Sequence, residues 1–187
     1  TLAEAARLAD EVGFDSVWVM DHFFQIRGIG PAEDPMLEGT SALAFMAAHT
    51  RRVRLGLMVG GIHYRHPGLW AKQTTTLDVL SGGRCELGIG TGWFKGEHEN
   101  FGVPFPEPPE LVDRFQEAVV LIDKLLTQDV TTFEGRYYQV RDAPFRPQRR
   151  DPGRQPGLRL RRRLQPDLHA GHRRTGRRSS ASPRTRA

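Results

Sequence analysis

The first 145 residues switch between two rhythms of apolar and polar positions. Leu2, Ala5, Ala6, Leu8, Ala9 and Val12 fall on one helical face, and Gly13 follows as a stop. Residues 14–20 (FDSVWVM) have the β-branched and aromatic content of a strand, and residues 24–39, with Gly28, Gly30, Pro31 and Pro35, read as loop. A second helix is predicted over 40–49, capped by Ser41 or Thr40 and turning Leu43, Met46 and Ala47 inward. Residues 53–59 read as a second strand, broken by Gly60-Gly61. Pro67 then opens a helix over 68–80, which Ser81-Gly82-Gly83 ends. Residues 85–89 are a third strand. A proline-rich loop (Pro104, Pro106, Pro108, Pro109) precedes the longest helix, 110–126, with Leu111, Phe115, Ala118, Val119, Ile122, Leu125 and Leu126 on its apolar face. Residues 131–133 and 136–140 form a hairpin around Glu134-Gly135.

Strict alternation of helix and strand with short connections predicts a parallel sheet covered by helices. A complete (β/α)₈ barrel needs about 250 residues. The expected fold is therefore α/β: a partial (β/α)₈ barrel of three parallel strands with covering helices, plus a hairpin insertion. A smaller doubly wound sheet is the alternative. Residues 1–145 form the expected domain, and 146–187 a separate tail.

Charge changes the picture at that boundary. Of 27 basic residues, 14 are arginines after residue 145, where Asp151 and Asp167 are the only acids. Residues 1–145 therefore carry 13 basic residues against 20 acidic ones, a net of −7, so the body gives no support to nucleic-acid binding. The tail has no lysine and no apolar periodicity. It reads as out-of-frame translation of GC-rich DNA, with a basic nucleic-acid-binding arm as the other account. The lone cysteine, Cys85, allows no internal disulfide, which fits a cytoplasmic setting, and no apolar run reaches the length of a membrane span.

Three strand ends carry the candidate chemistry: Asp21-His22, Met58-Val59-Gly60-Gly61 and Gly90-Thr91-Gly92-Trp93. In a parallel sheet they share one edge. His22 has two readings, a proton-exchanging group or a histidine satisfied by its loop; Asp21 caps a turn or orients His22. Gly88, Gly90 and Gly92 alternate, which suits either close approach of a ligand to the backbone or a plain connector. The spacing is not the G-x-G-x-x-G of a Rossmann site. Arg65 could meet an anion or be a solvated loop charge. His63 and His66 lack a third partner at metal-site spacing, so no metal is expected. Cys85 reads as a buried inert thiol, and Trp93-Phe94 as packing or a pocket wall.

In combination these segments resemble the luciferase-like flavin and deazaflavin oxidoreductases, and more closely their coenzyme F420-dependent branch. The matching stretches are 8–18 leading to Asp21-His22-Phe23, then 53–56, then Tyr64-Arg65-His66-Pro67, then 77–84 through 88–93, then 114–118. The resemblance covers residues 1 to about 147. It implies a barrel with the ring system at its C-terminal mouth, His22 beside that ring, and a non-proline cis peptide at Met58–Val59. It implies that Asp21, His22, Met58, Val59, Gly90, Thr91 and Gly92 form the cofactor site and that His22 is catalytic. The implied reaction is hydride transfer between F420 and a small organic substrate. An FMN-dependent monooxygenase is the second reading, and a non-catalytic fragment with a nucleic-acid-binding tail the third. The expected parent is a homodimer without a membrane anchor. Some deazaflavin sugar-phosphate dehydrogenases carry a catalytic Glu where this chain has Trp93, which argues against their sugar substrate. By itself this chain is expected to be inactive, because barrel sites are assembled from loops after several strands.

The tail yields a direct test. Translating the encoding DNA in the other two frames from about codon 146 is expected to restore an α/β pattern with glycine-rich strand ends. If neither frame gives a periodic sequence, a basic arm becomes the better account.

Overall fold

The structure is a computed structural model that describes residues 1–147. The expectations for the rest of the tail, an altered frame or a basic arm, lie outside the described residues. Strands β1 (Ser16–Val19), β2 (Arg54–Leu57) and β4 (Cys85–Glu86) form a parallel sheet in the order β1-β2-β4. Val17 pairs with Leu55 and Leu55 with Cys85; Trp18 pairs with Gly56 and Gly56 with Glu86. The sheet continues past its main strands as a second parallel pair, β3 (Gly60–Gly61) and β5 (Ile89–Gly90).

Side chains alternate across a strand, so the register divides the sheet into two faces. Leu55, Leu57, Cys85 and Leu87 turn toward helices α2 (Gly39–His49) and α3 (Pro67–Leu80) and pack with Leu43, Met46, Trp70 and Leu77. Helix α5 (Pro108–Thr127) lies against α3 and adds Leu121, Ile122 and Leu125. Each such side chain, fully buried, stabilises the fold by roughly 1.5–3 kcal/mol. The opposite face carries Trp18, Gly56 and the Arg54–Glu86 ion pair at 2.9 Å.

The predicted elements are present, with several differences. The cap of α2 is neither Ser41 nor Thr40 but Glu38, whose carboxylate accepts from both of their amides (2.7 and 3.0 Å). Gly60-Gly61 does not end the second strand; it forms β3. The third strand is split, because Leu87 and Gly88 lie between β4 and β5. A short helix, α4 (Lys95–Phe101), precedes the proline-rich connection and closes on Gly102 in the left-handed region (φ 68°). The hairpin strands, β6 (Val130–Glu134) and β7 (Gln139–Pro144), stand further apart than expected. The Arg136, Tyr137 and Tyr138 amides donate to the Glu117 carboxylate on α5 and are lost to the ladder.

Helix α1 (Leu2–Glu11) departs from its predicted face more sharply. Ala6 is buried, whereas Leu8 and Val12 are about 60% exposed. The helix leans chiefly on α2, which leaves the side carrying Leu8 and Val12 uncovered among the described residues.

Two polar side chains hold the end of the sheet opposite the candidate site. Asp10 accepts from the Arg51, Arg52 and Val53 amides and so fixes the turn into β2. Arg84 donates to the carbonyls of Ala47, Thr50, Val53 and Ser81 and to the Thr50 hydroxyl, over 2.7–3.1 Å. The Ala47 and Thr50 carbonyls lie at the C-terminus of α2, where a helix leaves its last carbonyls without intrahelical donors. Replacing Arg84 by Met keeps its stem and removes five bonds. We expect the variant to lose about 2 kcal/mol of unfolding free energy in urea titration; a loss within about 0.5 kcal/mol would show that water replaces the guanidinium at little cost.

Candidate active site

The three strand ends meet on one edge, as their parallel pairing requires. Met58 N–H donates to the Val19 carbonyl (2.9 Å), and Gly60 N–H to the Gly88 carbonyl (2.8 Å). The peptide between Met58 and Val59 is cis. The alternating glycines serve the neighbouring strand first. A Cβ on Gly90 would stand 2.9 Å from Val59 Cγ2, so a side chain there would displace the Met58-Val59 segment. Met58 and Val59 are left about half exposed on this edge, beside Gly90, Thr91 and Gly92.

His22 projects from the loop after β1. Its Nδ1 lies 2.9 Å from Oε2 of Glu97, a residue of α4 that is fully buried. Tyr64 O–H donates to the same oxygen at 2.5 Å. The other oxygen of Glu97 accepts from the Phe23 and Phe24 amides (2.6 and 3.1 Å). Burial alone would push the Glu97 carboxyl up, but Tyr64, His22 and the two backbone amides together hold it below the usual range. Burial and the adjacent Glu97 push the Tyr64 phenol up, so it remains a neutral donor. Trp93 and Phe94 stand edge-on to the His22 ring, with centroids 5.5 and 5.9 Å away, and Trp93 is 66% exposed.

Asp21 lies behind this surface. It is 3% exposed, accepts two bonds from Arg65 (2.7 and 2.8 Å) and one from the Gly61 amide (2.9 Å). Burial raises its pKa, opposed by Arg65. Arg65 is therefore no solvated loop charge. It also donates to Glu38 at 2.6 Å and stacks over the Trp70 ring at 4.5 Å. The Asp21 side chain thus ties the ends of β1 and β3 to the cap of α2. Gly61 takes part through its lack of a side chain, since a Cβ would stand 2.6 Å from the Tyr64 ring.

Of the remaining candidates, His66 caps α3, accepting from the Gly68 amide at 3.0 Å. Cys85 is buried, and burial pushes its thiol up to about 12, as an inert core residue requires. Sequence reasoning missed Glu97 and Tyr64. Glu97 sits in a polar run next to the exposed Glu99 and reads as surface. The one available signal was Gly102, a helix stop placed after a run too short to show periodicity.

The profile of the family described as "luciferase-like monooxygenase" matches residues 1–182. F420-dependent glucose-6-phosphate dehydrogenase of Kineococcus radiotolerans is 42% identical over 144 residues, 76% of this chain and 41% of that protein. The enzyme of the same name from Microbacterium testaceum is 38% identical over 148 residues, 78% of this chain and 43% of that protein. The chain thus spans about two fifths of the length of these curated relatives. Among solved structures, an F420-dependent secondary alcohol dehydrogenase in complex with an F420–acetone adduct superposes with a TM-score of 0.70 at 26% identity, over 83% of this chain and 46% of that one. Monooxygenase RslO1 from Streptomyces bottropensis superposes with a TM-score of 0.66 at 28% identity, over 79% and 42%.

His63, behind Tyr64, offers a check on the packing under the site. Burial, then the nearby His98 and Arg114, lowers its pKa to about 4. A histidine with a depressed folded pKa binds its proton more readily when unfolded. Its contribution to stability is thus complete above about pH 6.5 and is lost as pH falls toward 4. Burial shifts His98 in the same direction. Thermal midpoints of the wild type should therefore fall across this window, and His63→Gln should fall less steeply; parallel curves would show His63 to be solvated.

Proposed function

Because the chain belongs to the luciferase-like monooxygenase family, we propose that it carries the core of an F420-dependent oxidoreductase site that transfers hydride between the cofactor and a small organic substrate. The observation that carries this reading is the single edge on which a buried carboxylate holds His22 beside the half-exposed Met58-Val59 segment and Gly90–Gly92. The identity of about 40% to F420-dependent dehydrogenases supports the choice of cofactor.

The residues present fit a flat deazaflavin ring. Met58 and Val59 offer an apolar floor, and Gly90 puts no side chain above Val59. Backbone amides near Thr91 and Gly92 would meet the phosphate-bearing tail. When bound, F420 supplies a carbon that accepts or gives a hydride; positioning and electrostatics fall to the protein. His22 would take or give the proton at the substrate oxygen, and Trp93 would wall the substrate side. Asp21 shapes the site through Arg65 and Gly61 rather than by touching the ring. Arg65, held by two carboxylates, is not available to a substrate phosphate. Trp93, where some deazaflavin sugar-phosphate dehydrogenases carry a catalytic Glu, favours a substrate other than their sugar.

The likeness to a monooxygenase structure supports monooxygenation as the second reading, for which the expected cofactor is FMN. Turnover requires loops from more strands than the three of the main sheet, so the 187 residues alone are expected to be inactive. The test therefore uses a protein extended to the relatives' length. Fluorescence titration should give an F420 affinity at least about tenfold above that for FMN, and His22→Ala should slow hydride transfer by about 10²–10⁴-fold. Tight FMN binding with oxygen consumption would transfer the proposal to the monooxygenase reading.

A further inference from the structure

We infer that Glu97 is the positioning residue that sets the tautomer of His22: it holds the proton on Nδ1 and leaves Nε2 as an acceptor facing the open side of the site. This rests on the reading of His22 as the proton-exchanging group, but its structural part stands without any cofactor.

The four donors around Glu97 are not equivalent. Phe23 and Phe24 present backbone N–H groups to Oε1, and a backbone amide nitrogen cannot accept. They fix which end of the side chain must be an oxygen. Oε2 faces His22 Nδ1 and the Tyr64 hydroxyl. A buried carboxylate accepts only, so the ring nitrogen beside it must carry a hydrogen. In the neutral imidazole the second nitrogen is then a bare lone pair. That nitrogen lies on the ring edge away from Glu97. The side chain keeps 15% of its surface open, flanked by Trp93 and Phe94. An acceptor in that place can remove a proton from an alcohol as hydride leaves its carbon. In the reverse direction the imidazolium returns the proton to the carbonyl oxygen.

Glu97→Gln separates this assignment from a merely structural role. The two backbone donors must retain an oxygen, so the NH₂ of the introduced side-chain amide takes the place of Oε2. It then donates one hydrogen to Nδ1 and one to the Tyr64 oxygen. The amide still meets all four neighbours and the volume is nearly unchanged; the Tyr64 hydroxyl now accepts instead of donating, and the His22 proton moves to Nε2.

Long-range ¹H–¹⁵N correlation of the histidine rings, at about pH 8.5 where ordinary histidines are neutral, reads the tautomer directly. The His22 resonances are identified by their loss in His22→Ala. The wild-type chain should show Nδ1–H, and Glu97→Gln should show Nε2–H. A wild-type Nε2–H tautomer, or the same tautomer in both proteins, overturns the inference. Should the Glu97→Gln protein fail to fold, the wild-type spectrum still decides, with Tyr64→Phe as the control that must keep Nδ1–H. In the extended protein, Glu97→Gln should slow hydride transfer at least about tenfold, with F420 affinity within about twofold of wild type. Failure of F420 to bind a protein with the Nδ1–H tautomer would instead count against the cofactor proposal alone.

Discussion

A carboxylate removed from water must be surrounded by donors or become neutral. Glu97 collects four, from the loop after β1 and the turn after β3, and itself sits on α4. The ring of His22, the backbone of Phe23-Phe24 and the ring of Tyr64 are therefore fixed relative to one another through one side chain. Removing the charge without replacing its geometry would leave two amides unpaired in the interior, each costing about 1–3 kcal/mol. The position of His22 is thus tied to α4, the two-turn helix that carries Glu97.

A second buried cluster works beside it. Asp21, Arg65 and Glu38 join the end of β1 to the cap of α2, and the Gly61 amide brings in β3. An isolated buried ion pair adds little net stability, since desolvation offsets the attraction. Here the hydrogen bonds are directional and link three elements. The cluster therefore constrains how the strand ends are arranged, and those ends carry the exposed Met58-Val59 surface.

The larger features were legible because they are repetitive. Helix α5 shows its apolar face over several turns, α3 is bracketed by Pro67 and Ser81-Gly82-Gly83, and β1 and β2 have a β-branched and aromatic or leucine content that a covered strand requires. The convergence of Asp21-His22, Met58-Val59 and Gly90–Gly92 followed from parallel pairing alone. What escaped was set by tertiary contacts. Glu38 became the cap because Arg65 and two amides meet its carboxylate, which outweighs the usual preference for Ser or Thr at that place. Glu97 turned inward because backbone donors awaited it. The glycines of the third strand pointed to a ligand, yet Gly90 first makes room for Val59.

The same contrast governs the two faces of the sheet. Its helix-facing side is filled by leucines, whereas the other side holds Trp18, Gly56 and the Arg54–Glu86 pair. Parallel strands are stable when both faces are covered. Glu86 is 3% exposed, so its charge is held by Arg54 rather than by solvent. A polar inner face of this kind suits a closed barrel, in which facing strands supply further partners, and the chain holds only about two fifths of its relatives' length. The exposed Leu8 of α1 and Val12 at its C-cap fit the same account: their spacing is right for a helix packed on two sides, and one side is uncovered among the described residues. The sequence is locally consistent with a larger architecture than the described residues complete. The candidate site lies at the edge of the completed part that Glu97 and Asp21 hold together.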